Sequence, residues 1–417
     1  MTATEFSPGT ASPGTASPGT ASKESAEILD AVRAIAGSLA AGVAEDEAAR
    51  RLPRDSVTAV RKTRLTTLRV PARYGGPGGS LRDLFGAIIL IATADPNLAQ
   101  GLRSHFGFIE RLLSRDSAEA ERAREWWFPE VLSGKLFGLA SAELGIVSPA
   151  EFTTSLRSGD DGVLVLDGRK YYSTGGLFAD SIEVIAAGGE GKLVSLVVPA
   201  LREGVTLVDD FDAMGQRTTA SGTTIFAGVR VEPDEILEEL DWTDPDRPLD
   251  YLGGFYQLYL ASVAAGIAVN VFRDAAEYVR HRARPAVHGL TGDAVTDPYI
   301  LEAVGEIGAL AFGAEAVVLR AAESLDAAAI AAPGDEAVIA AAVDVAKAQL
   351  VAHRAAIEAG QRIFDTGGAS ATSDKLNLSR HWRNARTIAN HNPLAYKARA
   401  TGDFAVNGSV PPRSGYF

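Results

Sequence analysis

The chain has 417 residues, enough for two or three domains with substantial cores, and at 46% hydrophobic and 22% charged it has the balance of a soluble enzyme, not of a fibre or a disordered chain. A formal net charge of -13 argues against a nucleic-acid binder, whose affinity rests on a basic surface, and against docking on an anionic membrane. There is no cysteine, hence no disulfide, thiolate metal site or cysteine nucleophile, and the six histidines show no HExxH or paired-ligand spacing.

Residues 7–21 are SPGTA three times over, too rich in Pro, Gly and Ser to hold a core, and residues 1–23 are expected to form a flexible tail. The N-terminus has no basic-then-apolar signal pattern, and no stretch approaches the ~20 uninterrupted apolar residues of a membrane span, so a cytoplasmic location is expected. Residues 24–134 read as a helical domain. Ile28, Val32, Ile35 and Leu39 form an apolar stripe, and Asp55 is placed to cap a second helix. A helix over 81–94 leads to Asp95-Pro96, where a helix carrying Gln100, Ser104 and His105 opens, and 118–132 forms the last of the group.

Residues 135–248 change to a period near 2. Apolar runs at 136–140, 152–156, 162–166, 182–186, 193–198 and 223–231, separated by Gly, Asp and Pro, predict a domain of antiparallel strands. From residue 249 to 417 the helical period returns. Long helices are expected at 255–284, 298–328 and 335–364, and with the Arg380 segment they make a four-helix bundle. The centre of the first, ASVAAGIAVN, is built of small residues that permit close helix approach. The class is α+β, with the active site where the three units meet.

The stretch from Arg380 to Lys397, RHWRNARTIANHNPLAYK, concentrates positive charge in an acidic protein. Arg380, Arg383 and Arg386 recur every three residues and share one side of a helix, with Trp382 and Ile388 able to face inward. His391-Asn392-Pro393 ends that helix and leaves an imidazole at a chain reversal. For an anionic cofactor the candidates are Arg282, Arg284, Arg380, Arg383 and Arg386, since guanidinium pairs bidentately with phosphate, together with the close-approach glycines Gly367 and Gly368. The segments YYSTGG (171–176) and MGQRTTASG (214–222) set hydroxyls beside glycines. From the residues alone they are either capped turns or the polar edge of a site for a flat heterocycle.

DGRKYYSTGGLFAD, DAMGQRTTASGTTIFAGVRV, RIFDTGGAS and the Arg380 segment, in this order over three domains, resemble the acyl-CoA dehydrogenase superfamily: an N-terminal helical domain, a middle β-domain and a C-terminal four-helix bundle. MGQRTTASGTT and HWRNARTIANHNP are similar to its reduced-flavin monooxygenase branch, which includes dibenzothiophene monooxygenase and the sulfur-acquisition oxidoreductases. Dehydrogenases need a carboxylate base; the matching positions here hold His391-Asn392 and Gln257, and an amide cannot serve. Asp250 stays open as a displaced base, so a FAD-dependent acyl-CoA dehydrogenase is the alternative, and a catalytically silent partner subunit a third.

The branch implies reduced FMN from a separate NAD(P)H:flavin reductase, in keeping with the absence of a GxGxxG motif, and oxygenation of a small organosulfur compound or amine through a C4a-hydroperoxide. It also implies a homotetramer. By the same resemblance the catalytic residues are His105, His391, Thr174 and Ser173. The cofactor-binding set is Arg284, Arg282, Ser141, Thr174, Gln216, Thr218, Ser221, Gly367, Gly368 and Arg383, with the two bundle arginines reaching a neighbouring subunit's flavin. Pocket walls are expected from the His105 helix, residues 142–147 and 251–259.

Overall fold

The computed structural model describes residues 22–146, 151–159, 162–189, 192–240, 249–414 and 417. The SPGTA repeats and Val147 lie outside the described residues. The N-terminal helices are α1 (Lys23–Ala40), α2 (Val43–Ala49), α3 (Arg54–Lys62), α4 (Leu81–Ala94), α5 (Pro96–Gly101), α6 (Arg103–Leu113) and α7 (Ala118–Leu132). Ser80 opens α4 with a capping box to Asp83, which satisfies two otherwise orphaned amides. Asp55 does not cap α3: the helix begins at Arg54 after Pro53, and Asp55 sits in its first turn, where its charge favours the helix dipole. The single helix expected after Asp95 is two, α5 and α6, which meet at Leu102.

The middle region is one sheet in the order β6-β7-β3-β2-β4-β5-β8, with β1 beside β4. Its strands are β1 (Phe137–Ala140), β2 (Ser155–Ser158), β3 (Leu164–Lys170), β4 (Ser181–Ala187), β5 (Leu193–Pro199), β6 (Val205–Val208), β7 (Thr223–Val231) and β8 (Ile236–Leu240). It is not wholly antiparallel. β1 runs parallel to β4, because the chain enters from α7 and crosses to the sheet instead of turning back as a hairpin. β6 and β8, short and only partly apolar, escaped the period-2 pattern.

The bundle consists of α8 (Tyr251–His281), α9 (Pro298–Ala329), α10 (Glu336–Arg362) and α11 (Ser379–Ala389), followed by an additional helix α12 (Leu394–Asn407). α8 is long and apolar enough to cross a bilayer, yet 83% of its apolar window is buried inside the protein. Its small residues serve contact within the chain: a Cβ on Gly266 would stand 2.3 Å from the Cβ of Ala92 on α4, so the N-terminal helices dock tightly on the bundle. One continuous apolar core joins α1, α4–α7 and the bundle helices, and a second lies within the sheet.

α11 does not present an open basic face. Arg380 is buried and pairs with Asp274, which also holds His381 Nε2 at 2.9 Å; Arg386 bonds Asn390. Ile388 is buried as expected, whereas Trp382 is 36% exposed.

Candidate active site

A cavity of about 830 Å³ opens where the N-terminal helices, the sheet and the bundle meet. Beside it, two chain reversals approach without side chains between them. A Cβ on Gly175, which has φ +74°, would lie 2.2 Å from the carbonyl oxygen of Gly101 at the α5–α6 junction. That close approach lets Ser104 Oγ donate to the Thr174 carbonyl at 2.8 Å and seats the turn after β3 against α6.

One wall is polar and uncharged. Ser141, Thr174, Gln216, Thr219 and Ser221 line it, and their hydroxyls touch in series: Ser221 Oγ donates to Thr174 Oγ1 at 3.0 Å, Thr219 Oγ1 lies 2.8 Å from Ser221 Oγ, and Thr219 donates to the Gln216 carbonyl at 3.0 Å. The backbone of Gln216 is left-handed, φ 55°, and is pinned by Asn384 Oδ1, which accepts from its amide at 2.6 Å. Both polar atoms of the Gln216 side chain are buried without a hydrogen-bond partner, as are Gln100 Oε1 and Thr387 Oγ1. All three residues line the cavity. Buried polar groups are normally satisfied, so these mark a surface shaped for a polar ligand.

The lining also carries charged side chains. Arg103, Arg111 and Arg115 come from α6 and the residues just after it, with Tyr256 packed on Gly107 between them. Arg111 Nε lies 2.6 Å from the buried Glu183 of β4 and Arg115 Nε 3.2 Å from the half-buried Glu238 of β8, so each of these two cations has a carboxylate partner. His391 lines the same cavity, its Nε2 3.3 Å from Arg103 Nη2. Burial, then the positive charge of Arg103, then His353 hold its pKa below the usual imidazole value, although the open cavity leaves the ring accessible. The turn beneath it is fixed by Asn392 Nδ2 donating to Gln257 Oε1 at 2.7 Å; the same oxygen accepts from Gln349 Nε2 at 3.0 Å.

Ser141, Thr174, Gln216, Ser221 and His391 thus share one cavity, and the expected walls from α6, Ala142 and the start of α8 are in place. His105 is elsewhere. It is 1% exposed, its Nε2 donates to the Thr66 carbonyl at 2.7 Å, and its Nδ1 accepts from the Phe137 amide at 3.3 Å, so neither nitrogen is available to a reacting group. Burial lowers its pKa to about 4. Ser173 Oγ is buried and accepts from Thr224 Oγ1 at 2.8 Å, away from the cavity lining. Thr218 gives its backbone amide to Asn97 Oδ1 at 3.3 Å, and Thr219 takes the place at the wall.

Arg383 is committed to Glu47 at 2.7 and 3.1 Å, Asn377 Oδ1 at 2.8 Å and the Met214 carbonyl at 2.8 Å; it clamps α2, α11 and the loop before Gln216 instead of meeting this cavity. Gly367 packs on the Tyr278 ring one turn before Arg282; it, Gly368 and the exposed Arg282 and Arg284 lie outside the cavity lining.

Sequence reasoning did not single out Gln100, Arg103, Ser104, Arg111, Thr219 or Thr387 as site residues. A signal was present for α5–α6: Gln100, Arg103/Ser104, Gly107 and Arg111 recur at helical spacing as a polar stripe, and His105 is one residue, about 100°, off it. The carboxylate left open as a base, Asp250, does line the cavity, but its Oδ1 caps α8 by accepting from the Leu252 amide at 3.0 Å and its Oδ2 lies 3.9 Å from Arg115.

Helices, sheet and bundle around a large cavity with a neutral hydrogen-bonding wall define a flavoenzyme of the acyl-CoA dehydrogenase type. The chain matches the acyl-CoA dehydrogenase N-terminal domain over residues 22–135 and the C-terminal domain over 258–396. It belongs to this superfamily, and within it to the flavin-dependent monooxygenases. It is 31% identical over 399 residues to the probable FMNH2-dependent monooxygenase SfnC of Pseudomonas putida, covering 92% of this chain and 96% of that one. Dibenzothiophene monooxygenase of Rhodococcus qingshengii is 30% identical over 403 residues, with 90% and 94% covered. Among solved structures, FMN-bound TdsC of Paenibacillus sp. A11-2 superposes with a TM-score of 0.85 at 30% identity, covering 94% of this chain and 100% of that one.

Proposed function

We propose that the cavity receives reduced FMN, delivered by a separate NAD(P)H:flavin reductase in the cytoplasm, and that the enzyme uses O2 to oxygenate a small organosulfur compound there. The observation that carries the assignment is the unsatisfied amide of Gln216. A side-chain amide offers one donor and one acceptor side by side, the complement of the imide edge of a flavin ring. FMN would supply the activation of oxygen; the chain binds it, orients it and keeps water away.

Gln216, Thr174 and Ser221 would hold the polar edge of the ring, with Ser141 on the same lining. Gln100 and Ser104, which line the same cavity with Ser104 bonded to the Thr174 carbonyl, would border the bound group. His391 handles a proton at the cavity wall. The apolar residues Leu139, Ile185, Leu249 and Leu252 exclude water from the reacting face. In a homotetramer, Arg282 and Arg284 at the end of α8 would take the phosphate of a neighbouring chain's FMN, with Gly367 and Gly368 allowing close approach. Arg284→Ala should then weaken FMN binding by about 1.5–3 kcal/mol, read by fluorescence titration.

The test is turnover under 18O2 with a flavin reductase, offering dibenzothiophene, its sulfone, an alkanesulfinate and an arylamine. One 18O atom in an organosulfur product is expected. FMN oxidation that yields only hydrogen peroxide with every compound, or labelling of the amine alone, would overturn the assignment.

A further inference from the structure

His391 and Arg103 come from opposite ends of the chain, 288 residues apart, and meet on the cavity wall. Arg103 opens α6 directly after the junction that Gly101 and Gly175 hold close, and His391 sits on the α11–α12 turn that Asn392 ties to Gln257. Both backbones are therefore fixed, and the contact between the two side chains follows from the fold.

A guanidinium has only donors. At 3.3 Å from Arg103 Nη2, the Nε2 of His391 must be the acceptor, which places the proton of a neutral ring on Nδ1. We infer that Arg103 is a positioning residue for His391: its guanidinium selects the Nδ1-protonated tautomer and holds the ring neutral at the cavity wall, with Nε2 turned to accept a proton. This rests on the reading that His391 serves the oxygen chemistry of the site.

Among the described residues, Arg103 from α6 and His353 from α10 act on the ring; Arg103 opposes a positive charge on it, whereas His353, itself neutral down to about pH 4, does so only in stronger acid. α8 presents the neutral Tyr256 and Gln257. Asp212, Asp250 and Arg413 line the same cavity. Filling the cavity removes water from His391 and adds to the same bias. His391 thus enters the reaction as a proton acceptor, and protonation at Nε2 requires its bond with Arg103 to break.

The experiment is a pH titration of the full-length protein labelled with 13C and 15N at histidine, followed by NMR, with H391N to assign the resonance. No turnover is needed, so a failure of the monooxygenase assignment and a failure of this inference are separable. In the unmodified protein His391 should show the Nδ1–H tautomer at pH 7 and remain neutral below pH 5.5. In R103Q its pKa should rise by at least one unit, while R103K, which keeps the charge but not the planar fork, should raise it less.

As a functional readout, peroxide leakage during FMN oxidation should gain an acid limb in R103Q that shifts with the NMR titration, with FMN affinity altered less than twofold. An Nε2–H tautomer or an imidazolium at pH 7 in the unmodified protein overturns the inference without any variant, and so does an unchanged titration in a folded R103Q.

Discussion

Gln216 shows how one residue is prepared for a ligand. Its left-handed backbone, the Asn384 bond to its amide and the contact of Gly215 with the Arg383 carbonyl hold the side chain over the cavity with both polar atoms unsatisfied. Gln216→Leu keeps the shape and removes the donor and acceptor. FMN affinity should fall by about 1–3 kcal/mol with the melting temperature unchanged or raised, since the free enzyme no longer buries an unpaired amide; calorimetric titration beside a thermal melt checks both. His105 behaves in the opposite way. Its ring is satisfied by Thr66 and Phe137 and lies 6.1 Å, centroid to centroid, from the Phe137 ring, so His105→Ala leaves a cavity and a buried carbonyl without its donor. The expected cost is about 2–4 kcal/mol in urea unfolding, with the ratio of product to peroxide unchanged. A changed ratio at full folding would return His105 to the chemistry.

Among elements, α11 is the joint of the molecule. Arg383 reaches α2 through Glu47, whose side chain is 1% exposed, and the loop before Gln216 through the Met214 carbonyl. Burial raises the pKa of Glu47, but the bonds from Arg383 and Asn377 outweigh it and hold the carboxyl below its usual value. Arg383→Ala would strand that carboxylate, at a cost of about 3–5 kcal/mol, and loosen the cavity's polar wall with it. Unfolding midpoints together with FMN affinity test this, and both should fall. A loss of affinity without loss of stability would mean that Arg383 meets the cofactor after all. The α5–α6 break at Leu102 was only faintly legible, because a single glycine, Gly101, interrupts the helical pattern of LAQGLRSHF; contact of Gly101 with Phe178 and the Thr219 carbonyl accompanies it.

For the molecule as a whole, buried imidazoles set the acid limit. His105 and His353 are fully buried in the native state, which lowers each pKa to about 4. Above the unfolded value near 6.5 both states are neutral and the histidines contribute no pH dependence. Below it the unfolded chain takes up protons that the native chain refuses until about pH 4, so stability falls as pH drops through that window, by up to about 1.4 kcal/mol per pH unit for each histidine. Urea unfolding at pH 7.5, 6.0 and 5.0 should show the decline, and His353→Phe should flatten part of it; a profile that is level to pH 5 would contradict the burial of these rings.

Periodicity was enough to place the long helices, the order of the three units and most strands, because those signals are local: 3.6 or 2 residues per repeat, read within a dozen positions. The hydroxyls beside glycines at 171–176 and 214–222 could be read as capped turns or as the polar edge of a site, and only the structure brings Thr174, Gln216, Thr219 and Ser221 onto one cavity. What only the tertiary structure decided are partners across the chain: Arg383 with Glu47, 336 residues away, and Arg103 with His391. A guanidinium reads the same in sequence whether it clamps a helix, balances a buried carboxylate or faces a cavity. Its role is set by which acceptor the fold brings within about 3 Å, and one residue of helical rotation, about 100°, separates His105 in the core from Ser104 at the site.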